Sequence, residues 1–162
     1  MINNFQGNYS FLSTFYDKLI TYDGITYKNA ESAFQAQKTD SESLRKKFSR
    51  LLPTEAYRRG QKVLLRSDWE EVKEKIMYEI NKIKFSDENL KKQLLATGKE
   101  ELINGNNSGD KIWGVYDGQG ENKLGKILMQ VRKEIQDGER SEPTQSEKKS
   151  KKSKSEEQSS DL

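Results

Sequence analysis

Residues 19–38 read LITYDGITYKNAESAFQAQK, and the side-chain pattern changes halfway along this stretch. Its first half holds two short runs of β-branched and aromatic residues, separated by the pair Asp23-Gly24. Such runs around an Asp-Gly pair are typical of a β-hairpin with a type I′ turn. Asn29 then stands where a helix over residues 30–39 needs an N-terminal cap. The stretch therefore predicts a hairpin that leads directly into a helix.

The following residues have the pattern of helices. Apolar side chains at spacings of three and four indicate a helix over residues 68–84, and Ser67 and Glu70 match a capping box at its start. Caps, Pro53 and terminal glycines place the other predicted helices at 42–50, 53–60, 87–97 and 122–136. The fold class predicted is α+β: a mostly helical single domain, residues 1–137, with a small N-terminal β-hairpin.

The last segment, residues 138–162, differs in composition from the domain. It is rich in Lys, Ser and Glu, contains no aromatic residue, and has six basic and six acidic side chains. Such a segment cannot bury enough apolar surface to offset the entropy of ordering it. We therefore expect a disordered charged tail, whose basic run over residues 148–154 can bind an acidic partner.

Cysteine and histidine are both absent from the chain. Thiol nucleophiles, disulfides and imidazole groups are thereby excluded, so any catalysis has to use carboxylates, Lys, Tyr or hydroxyl groups. We expect neither a metal nor a cofactor. The chain has no run of about 18 apolar residues and no signal-peptide pattern at its start, which predicts a cytoplasmic protein with no membrane segment.

Two regions hold candidate functional residues. Glu31, Gln35 and Lys38 share one face of the first predicted helix, which is either a solvated face or the wall of a polar pocket. The long loop over residues 104–121 contains Asp110 and Trp113, and long loops between helices tend to be functional. Trp113 either fills the core or stacks on the ring of a ligand.

Taken in order, these segments resemble the motifs of the NADAR family, also called the YbiA-like or DUF1768 family. The resemblance is carried by Glu31-Ser32-Ala33-Phe34-Gln35-Ala36-Gln37-Lys38, by Asp110-Lys111-Ile112-Trp113-Gly114, and by residues 5–16, 56–60, 68–70, 77, 84–85, 94–98 and 120–129. It implies an N-glycosidase, a hydrolase that cleaves the N-ribosyl bond of a riboflavin-pathway ribosylaminopyrimidine phosphate or of ADP-ribose attached to guanine. The expected partner is this ribosyl or ADP-ribosyl compound, including ADP-ribosylated nucleic acid.

The resemblance also implies roles for single residues. Glu31 is expected to orient water and stabilise the cationic sugar, with Asp110 as the second catalytic acid. The expected substrate-binding residues are Gln35 in the pocket wall, Lys38 and Lys84 toward phosphate, Trp69 or Trp113 toward the base, and Asn122 toward the sugar or toward a loop carbonyl.

Two positions depart from the family's pattern. Thr14 stands where an Asn is usual, and Asn104 stands where an acidic residue usually precedes Gly-Asn. An Asn side chain cannot ionise, so it can neither accept a proton nor hold a cation by charge. The alternative prediction is therefore a catalytically impaired protein that binds or senses ADP-ribose-like nucleotides.

Overall fold

The computed structural model describes residues 1–141. In this part of the chain a short 3-10 helix, Gly7–Leu12, precedes the antiparallel strands β1, Asp17–Tyr22, and β2, Ile25–Asn29. The helices that follow are α1 Ala30–Ala36, α2 Glu42–Phe48, α3 Pro53–Gly60, α4 Trp69–Lys84, α5 Glu88–Ala96 and α6 Lys123–Ser141. The predicted α+β, mostly helical class is confirmed.

The predicted hairpin is present, with strands slightly longer than expected. Asp23 and Gly24 have φ angles of 50° and 84°, as the two central residues of a type I′ turn require. Ile20 pairs with Tyr27, and both side chains are fully buried. The hairpin therefore contributes one face to the core and ends at the residue that caps α1.

Local capping signals place the starts of three helices where the sequence predicted them. The side chain of Asn29 accepts from Ser32 N at 2.7 Å, Ser41 from Leu44 N at 3.3 Å, and Asp87 from Leu90 N at 3.0 Å. Each bond satisfies a backbone N–H that has no partner inside its helix. α1 and α2 end three and two residues earlier than predicted, at Ala36 and Phe48.

The capping box predicted for α4 is wrong. α4 begins at Trp69 after Asp68, and no side chain caps its first turn. The Asp68 carboxylate is instead held by the Arg66 guanidinium, with Nε–Oδ1 and Nη2–Oδ2 distances of 2.6 and 3.1 Å. The predicted box needs Ser67 at the cap position, but α4 begins one residue later, so this position falls on Asp68, whose carboxylate is bound to Arg66.

α1 is the helix around which the other elements pack. All seven of its residues are buried, and it contacts both strands of the hairpin as well as α2, α3 and α4. Glu31 and Gln35 are 6% and 3% exposed. The polar face seen in the sequence is therefore not a solvated face, and two polar side chains are enclosed in the middle of the domain.

The first residues of the chain pair with the segment that leads into the long loop. Ile2 forms a parallel bridge with Leu102, in which Ile2 N donates to Glu101 O and Ile103 N donates to Ile2 O, both at 2.9 Å. Inside the loop, Gly105 bridges to Val115 and Tyr116 to Gln119. These bridges fix the loop, which contains neither a helix nor a longer strand, against the rest of the domain.

α6 passes the boundary that the sequence predicted at residue 137. The helix continues through residues 138–141, so the prediction of disorder is wrong for these four residues. Residues 142–162, on which the rest of the tail prediction falls, lie outside the described part of the chain. Within residues 1–141, no helix is both long and apolar enough to cross a membrane.

Candidate active site

A cavity of about 540 Å³ opens between α1, α4, the segment 13–15 and the long loop. Six of the side chains singled out from the sequence line it together: Glu31, Gln35, Lys38, Trp69, Asp110 and Trp113. They come from α1 and the turn that follows it, from the start of α4 and from the long loop, which lie far apart in the sequence. The fold therefore collects acids, bases and aromatic rings around one cavity.

Glu31 lies on the cavity wall with both carboxylate oxygens occupied. Gln35 Nε2 donates to Oε1 at 2.8 Å, and Thr14 Oγ1 donates to Oε2 at 2.7 Å. Two donors to one carboxyl group suit its ionised form, which accepts on both oxygens. Thr14 replaces the family's usual Asn, yet the position still supplies a donor to Glu31.

Burial dominates the ionisation of Glu31. It raises the pKa of the carboxyl group above the usual value, because removal from water disfavours the charged form. The hydrogen bonds from Gln35 and Thr14 and the charge of Lys38 lower this pKa, whereas the charge of Asp110 raises it. Glu31 is thus a buried acid whose proton affinity is above that of a carboxylate in water.

Asp110 is held at the opposite side of the cavity by the backbone of its own loop. Its Oδ1 accepts from Ile112 N at 3.0 Å and from Trp113 N at 2.9 Å. Among the described residues, Oδ2 has no hydrogen-bond partner and remains available to a ligand. This geometry is an Asx turn, and the residue that makes this turn also lines the cavity.

Asn106 organises the loop that carries Asp110, and the sequence analysis did not single it out. Its Oδ1 accepts from Ser108 N and Asp110 N, and its Nδ2 donates to Asp110 O at 2.8 Å. The Asn106 side chain therefore binds both the backbone N–H and the backbone C=O of Asp110, and it also binds the backbone N–H of Ser108. Only the three-dimensional path of the loop reveals this role.

Three aromatic rings form one side of the cavity. Phe34 contacts Trp69 and Trp113, with ring centroids 5.1 and 5.2 Å apart. Trp69 is buried, and Trp113 is half-buried. Trp113 thus packs against the core and also faces the cavity, so the two interpretations of this residue are not exclusive.

Asn104 lines the cavity and uses its amide within the loop. Asn104 Nδ2 donates to Trp113 O at 3.2 Å. A carboxylate cannot donate, and it would meet the carbonyl oxygen with like partial charge. The Asn at this position therefore binds the part of the loop that carries Trp113. The carboxylates that line the cavity are supplied by Glu31, Glu70 and Asp110.

Two lysines give the cavity a cationic region. Lys38 Nζ donates to Gly60 O at 3.2 Å, and burial lowers the pKa of Lys38, an effect to which the charge of Lys73 adds. Lys73 also lines the cavity and pairs with the exposed Glu70 at 2.6 Å. The sequence analysis missed Lys73, although its position four residues after Trp69 and four before Met77 places it on their face of α4.

Lys84 and Asn122, which the sequence analysis also selected, do not line the cavity. Lys84 is buried, and its Nζ donates to Ser13 O at 2.7 Å. Asn122 joins the two ends of the long loop: its Oδ1 accepts from Asn104 N at 2.9 Å, and its Nδ2 donates to Leu102 O at 3.0 Å. Both side chains hold segments that border the cavity, so neither is placed to contact a ligand directly.

The fold and the cavity define a small α+β domain with a pocket of carboxylates, lysines and aromatic rings. The chain belongs to the NADAR domain family, whose model matches residues 3–136. The match spans all the elements described above from the 3-10 helix to most of α6.

Curated relatives and a solved structure agree with this assignment. The chain is 35% identical over 133 residues to N-glycosidase YbiA of Escherichia coli, covering 79% of this chain and 82% of that protein. It is 38% identical over 135 residues to a riboflavin biosynthesis protein of Vibrio vulnificus, of which it spans only 36%. The NMR structure of E. coli YbiA matches with a TM-score of 0.79 and 33% identity, over 90% of each chain.

Proposed function

We propose that this protein is a hydrolase that cleaves the N-glycosidic bond of a ribosyl compound. The observation that carries the proposal is the enclosed Glu31 carboxylate, which faces the same cavity as Asp110, two lysines and an aromatic wall. The names of the relatives, N-glycosidase YbiA and riboflavin biosynthesis protein, support the same type of reaction.

The reaction breaks the bond between C1′ of the ribose and a nitrogen of the base. The electron pair of this bond goes to the nitrogen, positive charge develops on C1′ and the ring oxygen, and water adds to C1′. In our proposal the Glu31 carboxylate lies near the developing charge and takes the proton of the attacking water, as carboxylates do in other glycosidases. Asp110 Oδ2 binds the ribose hydroxyls or that water. The proton that Glu31 takes from the water is passed through solvent to the departing nitrogen, so Glu31 is ionised again after each turnover.

The remaining groups of the cavity suit the other parts of such a substrate. The exposed side of Trp113 offers a surface on which a base can stack. Lys38 and Lys73 face the cavity with positive charge that can bind a phosphate. A ribosyl phosphate with a heterocyclic base therefore matches the cavity in charge and in shape.

Two substrates fit this description, and a different observation favours each. The riboflavin names of the relatives favour a ribosylaminopyrimidine phosphate. A basic segment, residues 45–66, which has eight basic residues and one acidic residue, favours ADP-ribosylated guanine within a nucleic acid. This basic segment borders the cavity, because Tyr57 and Gln61 line it. Their neighbours in the sequence, Arg58, Arg59 and Lys62, are exposed.

Mass spectrometry of product release tests the proposal. The full chain is incubated with a ribosylaminopyrimidine phosphate and, separately, with a DNA oligonucleotide that carries ADP-ribosylated guanine. We expect release of the free pyrimidine base from the first substrate or of free ADP-ribose from the second, reduced about a thousandfold in Glu31→Gln and unchanged in the control Glu101→Gln, an exposed acid outside this cavity.

A variant of the basic segment distinguishes between the two substrates. Arg58→Ser together with Arg59→Ser is expected to weaken turnover of the oligonucleotide and to leave the small pyrimidine unaffected. Binding of ADP-ribose by calorimetry without release of any product would contradict the hydrolase and select the alternative, a nucleotide-binding protein in which the uncharged Asn104 accompanies the loss of turnover.

A further inference from the structure

Lys84 is a buried cation without a buried anion. Its side chain is 1% exposed, and its Nζ lies 5.6 Å from the centroid of the Tyr16 ring and 5.2 Å from that of Phe85. Among the described residues it pairs with no carboxylate, and its hydrogen-bond acceptor is Ser13 O at 2.7 Å. Burying an unpaired ammonium group lowers stability, so its retention calls for another effect.

The carbonyl that Lys84 holds belongs to the segment that contacts Glu31. The next residue, Thr14, makes two bonds to Glu31: Thr14 Oγ1 donates to Oε2 at 2.7 Å, and Glu31 N donates to Thr14 O at 3.0 Å. Ser13, Thr14 and Phe15 all line the cavity. A continuous set of bonds thus runs from the end of α4 through the segment 13–15 to the carboxylate on α1.

We propose that Lys84 is a positioning residue, which holds Ser13 and thereby keeps the Thr14 hydroxyl on the Glu31 carboxylate. Lys84 does not line the cavity, so it acts on a ligand only through this segment. The proposal rests on the proposed function only where turnover is measured, because the contact between Thr14 and Glu31 exists independently of any substrate.

The hydrogen bond from Lys84 Nζ to Ser13 O forms whether the amine is protonated or neutral. Burial lowers the pKa of Lys84 to about 7, so both forms are present near neutral pH. The ammonium and the neutral amine each carry N–H groups that can donate to a carbonyl oxygen, and the charged donor binds more strongly. Ser13 is therefore held in both forms.

The pKa of the Glu31 carboxyl group, measured by carbon-detected NMR titration of the full chain, reports on this positioning. A hydrogen bond to the charged form lowers a carboxyl pKa, so Lys84→Met is expected to raise the pKa of Glu31. Arg132→Met is the matched control. Arg132 is another buried cation, which donates to Thr97 Oγ1 and Glu100 O and does not line the cavity. We expect its loss to reduce stability and to leave the pKa of Glu31 unchanged.

A Thr14→Val background separates positioning from a direct effect of charge. Lys38 and Asp110 act on Glu31 in every variant, so they cancel in the comparison. If Lys84 acts through Thr14, then Lys84→Met no longer shifts the pKa of Glu31 once the hydroxyl is gone. An equal shift with and without the hydroxyl would overturn the proposal, as would a Glu31 pKa that Lys84→Met leaves unchanged.

Lys84→Gln serves where the Met variant does not fold, since it keeps an N–H donor on a shorter side chain. We expect a smaller shift of the Glu31 pKa in the same direction, which disappears in the Thr14→Val background, and a shift that persists in that background would again overturn the proposal. In turnover assays kcat/KM should fall about tenfold in Lys84→Met. The acid limb of its pH profile should move by the same amount as the pKa of Glu31. Absence of turnover in the unaltered protein would count against the proposed function alone, because the NMR titration still tests the positioning.

Discussion

The carboxyl group of Glu31 is enclosed by the domain and accepts a hydrogen bond on each oxygen. Its pKa is raised in the folded state, so the folded protein binds this proton more tightly than the unfolded chain does. The resulting stability is fully present below the pKa of an unfolded Glu and is lost as the pH rises through the higher folded value. At neutral pH the ionised carboxylate therefore lowers the free energy of unfolding, and the proposed reaction needs this ionised form.

Glu31→Gln is expected to raise stability while abolishing turnover. Removal of the buried charge should increase the free energy of unfolding by about 1 kcal/mol at pH 7, and the gain should disappear near pH 4 because the carboxyl group is then protonated. Urea unfolding at both pH values measures the difference, with the exposed Glu101→Gln as control. A gain that is equal at both pH values would show that the charge of Glu31 is not its cause.

Gly60 owes its identity to close packing rather than to its backbone angles. A Cβ atom added there would lie 1.9 Å from Gln35 Oε1, which has no hydrogen-bond partner among the described residues. The same Gln35 donates to Glu31 through its other amide atom. Gly60 at the end of α3 thus limits the orientation of the Gln35 side chain, which contacts the Glu31 carboxylate.

Gly60→Ala is therefore expected to reduce kcat/KM about tenfold, because the methyl group displaces Gln35 from Glu31. The control is the same substitution in a Gln35→Ala background, where the obstructed side chain is absent. There Gly60→Ala should have no further effect on kcat/KM. If it reduces turnover equally in both backgrounds, the contact between Gly60 and Gln35 is not the reason.

At the scale of elements, α4 serves the core and the cavity with different faces. Ile76 and Ile80 are buried in the core, while Trp69, Lys73 and Met77 follow one another at intervals of four along the cavity face. Residues four apart lie above one another on a helix. The amphipathic pattern that builds the core therefore also determines which cation of α4 reaches the cavity.

Lys73→Met is expected to raise KM about tenfold for a phosphate-bearing substrate and to leave kcat nearly unchanged, since a binding charge is lost without change at the reacting bond. Lys75→Met on the same helix, with a side chain that is 77% exposed and outside the cavity, is the control. Steady-state kinetics with the phosphorylated substrate and with its dephosphorylated form test this. An equal rise in KM for both forms would contradict a phosphate contact.

For the molecule as a whole, the sequence predicted the features that depend on neighbours along the chain. Asp23-Gly24 sets the hairpin turn, and Asn29 caps α1, because these effects involve residues within three positions of one another. Glu31 and Gln35 share a face of α1, as helical spacing predicts, whereas Lys38 lies in the turn after the helix ends. The spacing does not show what packs against this face, so the sequence could not distinguish the wall of a pocket from a solvated face.

Features that depend on distant contacts were not predictable in the same way. Lys84 and Ser13 are 71 residues apart, and Asn122 and Leu102 are 20 apart. A side chain that can bind phosphate or a sugar can equally bind a backbone carbonyl, and only the path of the chain decides between them. The capping box predicted at Ser67 is wrong because α4 begins one residue later, so the cap position falls on Asp68, whose carboxylate is bound to Arg66.

The extent of α6 gives a prediction about truncation. Gln136 donates to Gly98 O at 3.1 Å, and the helix continues to Ser141, so a boundary at residue 137 cuts through its last turns. A chain of residues 1–141 should keep the melting temperature and kcat/KM of the full chain, whereas one of residues 1–130 should lose both. Calorimetry and turnover assays decide, and loss of turnover in the 1–141 chain would assign a role to residues 142–162.

The bridge between Ile2 and Leu102 has a consequence for synthesis on the ribosome. The first residues are made early, yet their pairing partner is translated a hundred positions later, and Asp110 and Trp113 follow after that. A nascent chain can form the hairpin and α1 as soon as they emerge, because these contacts are local. The cavity is complete only after nearly the whole domain has been translated, so incomplete chains expose apolar surface of α1 that the finished domain buries.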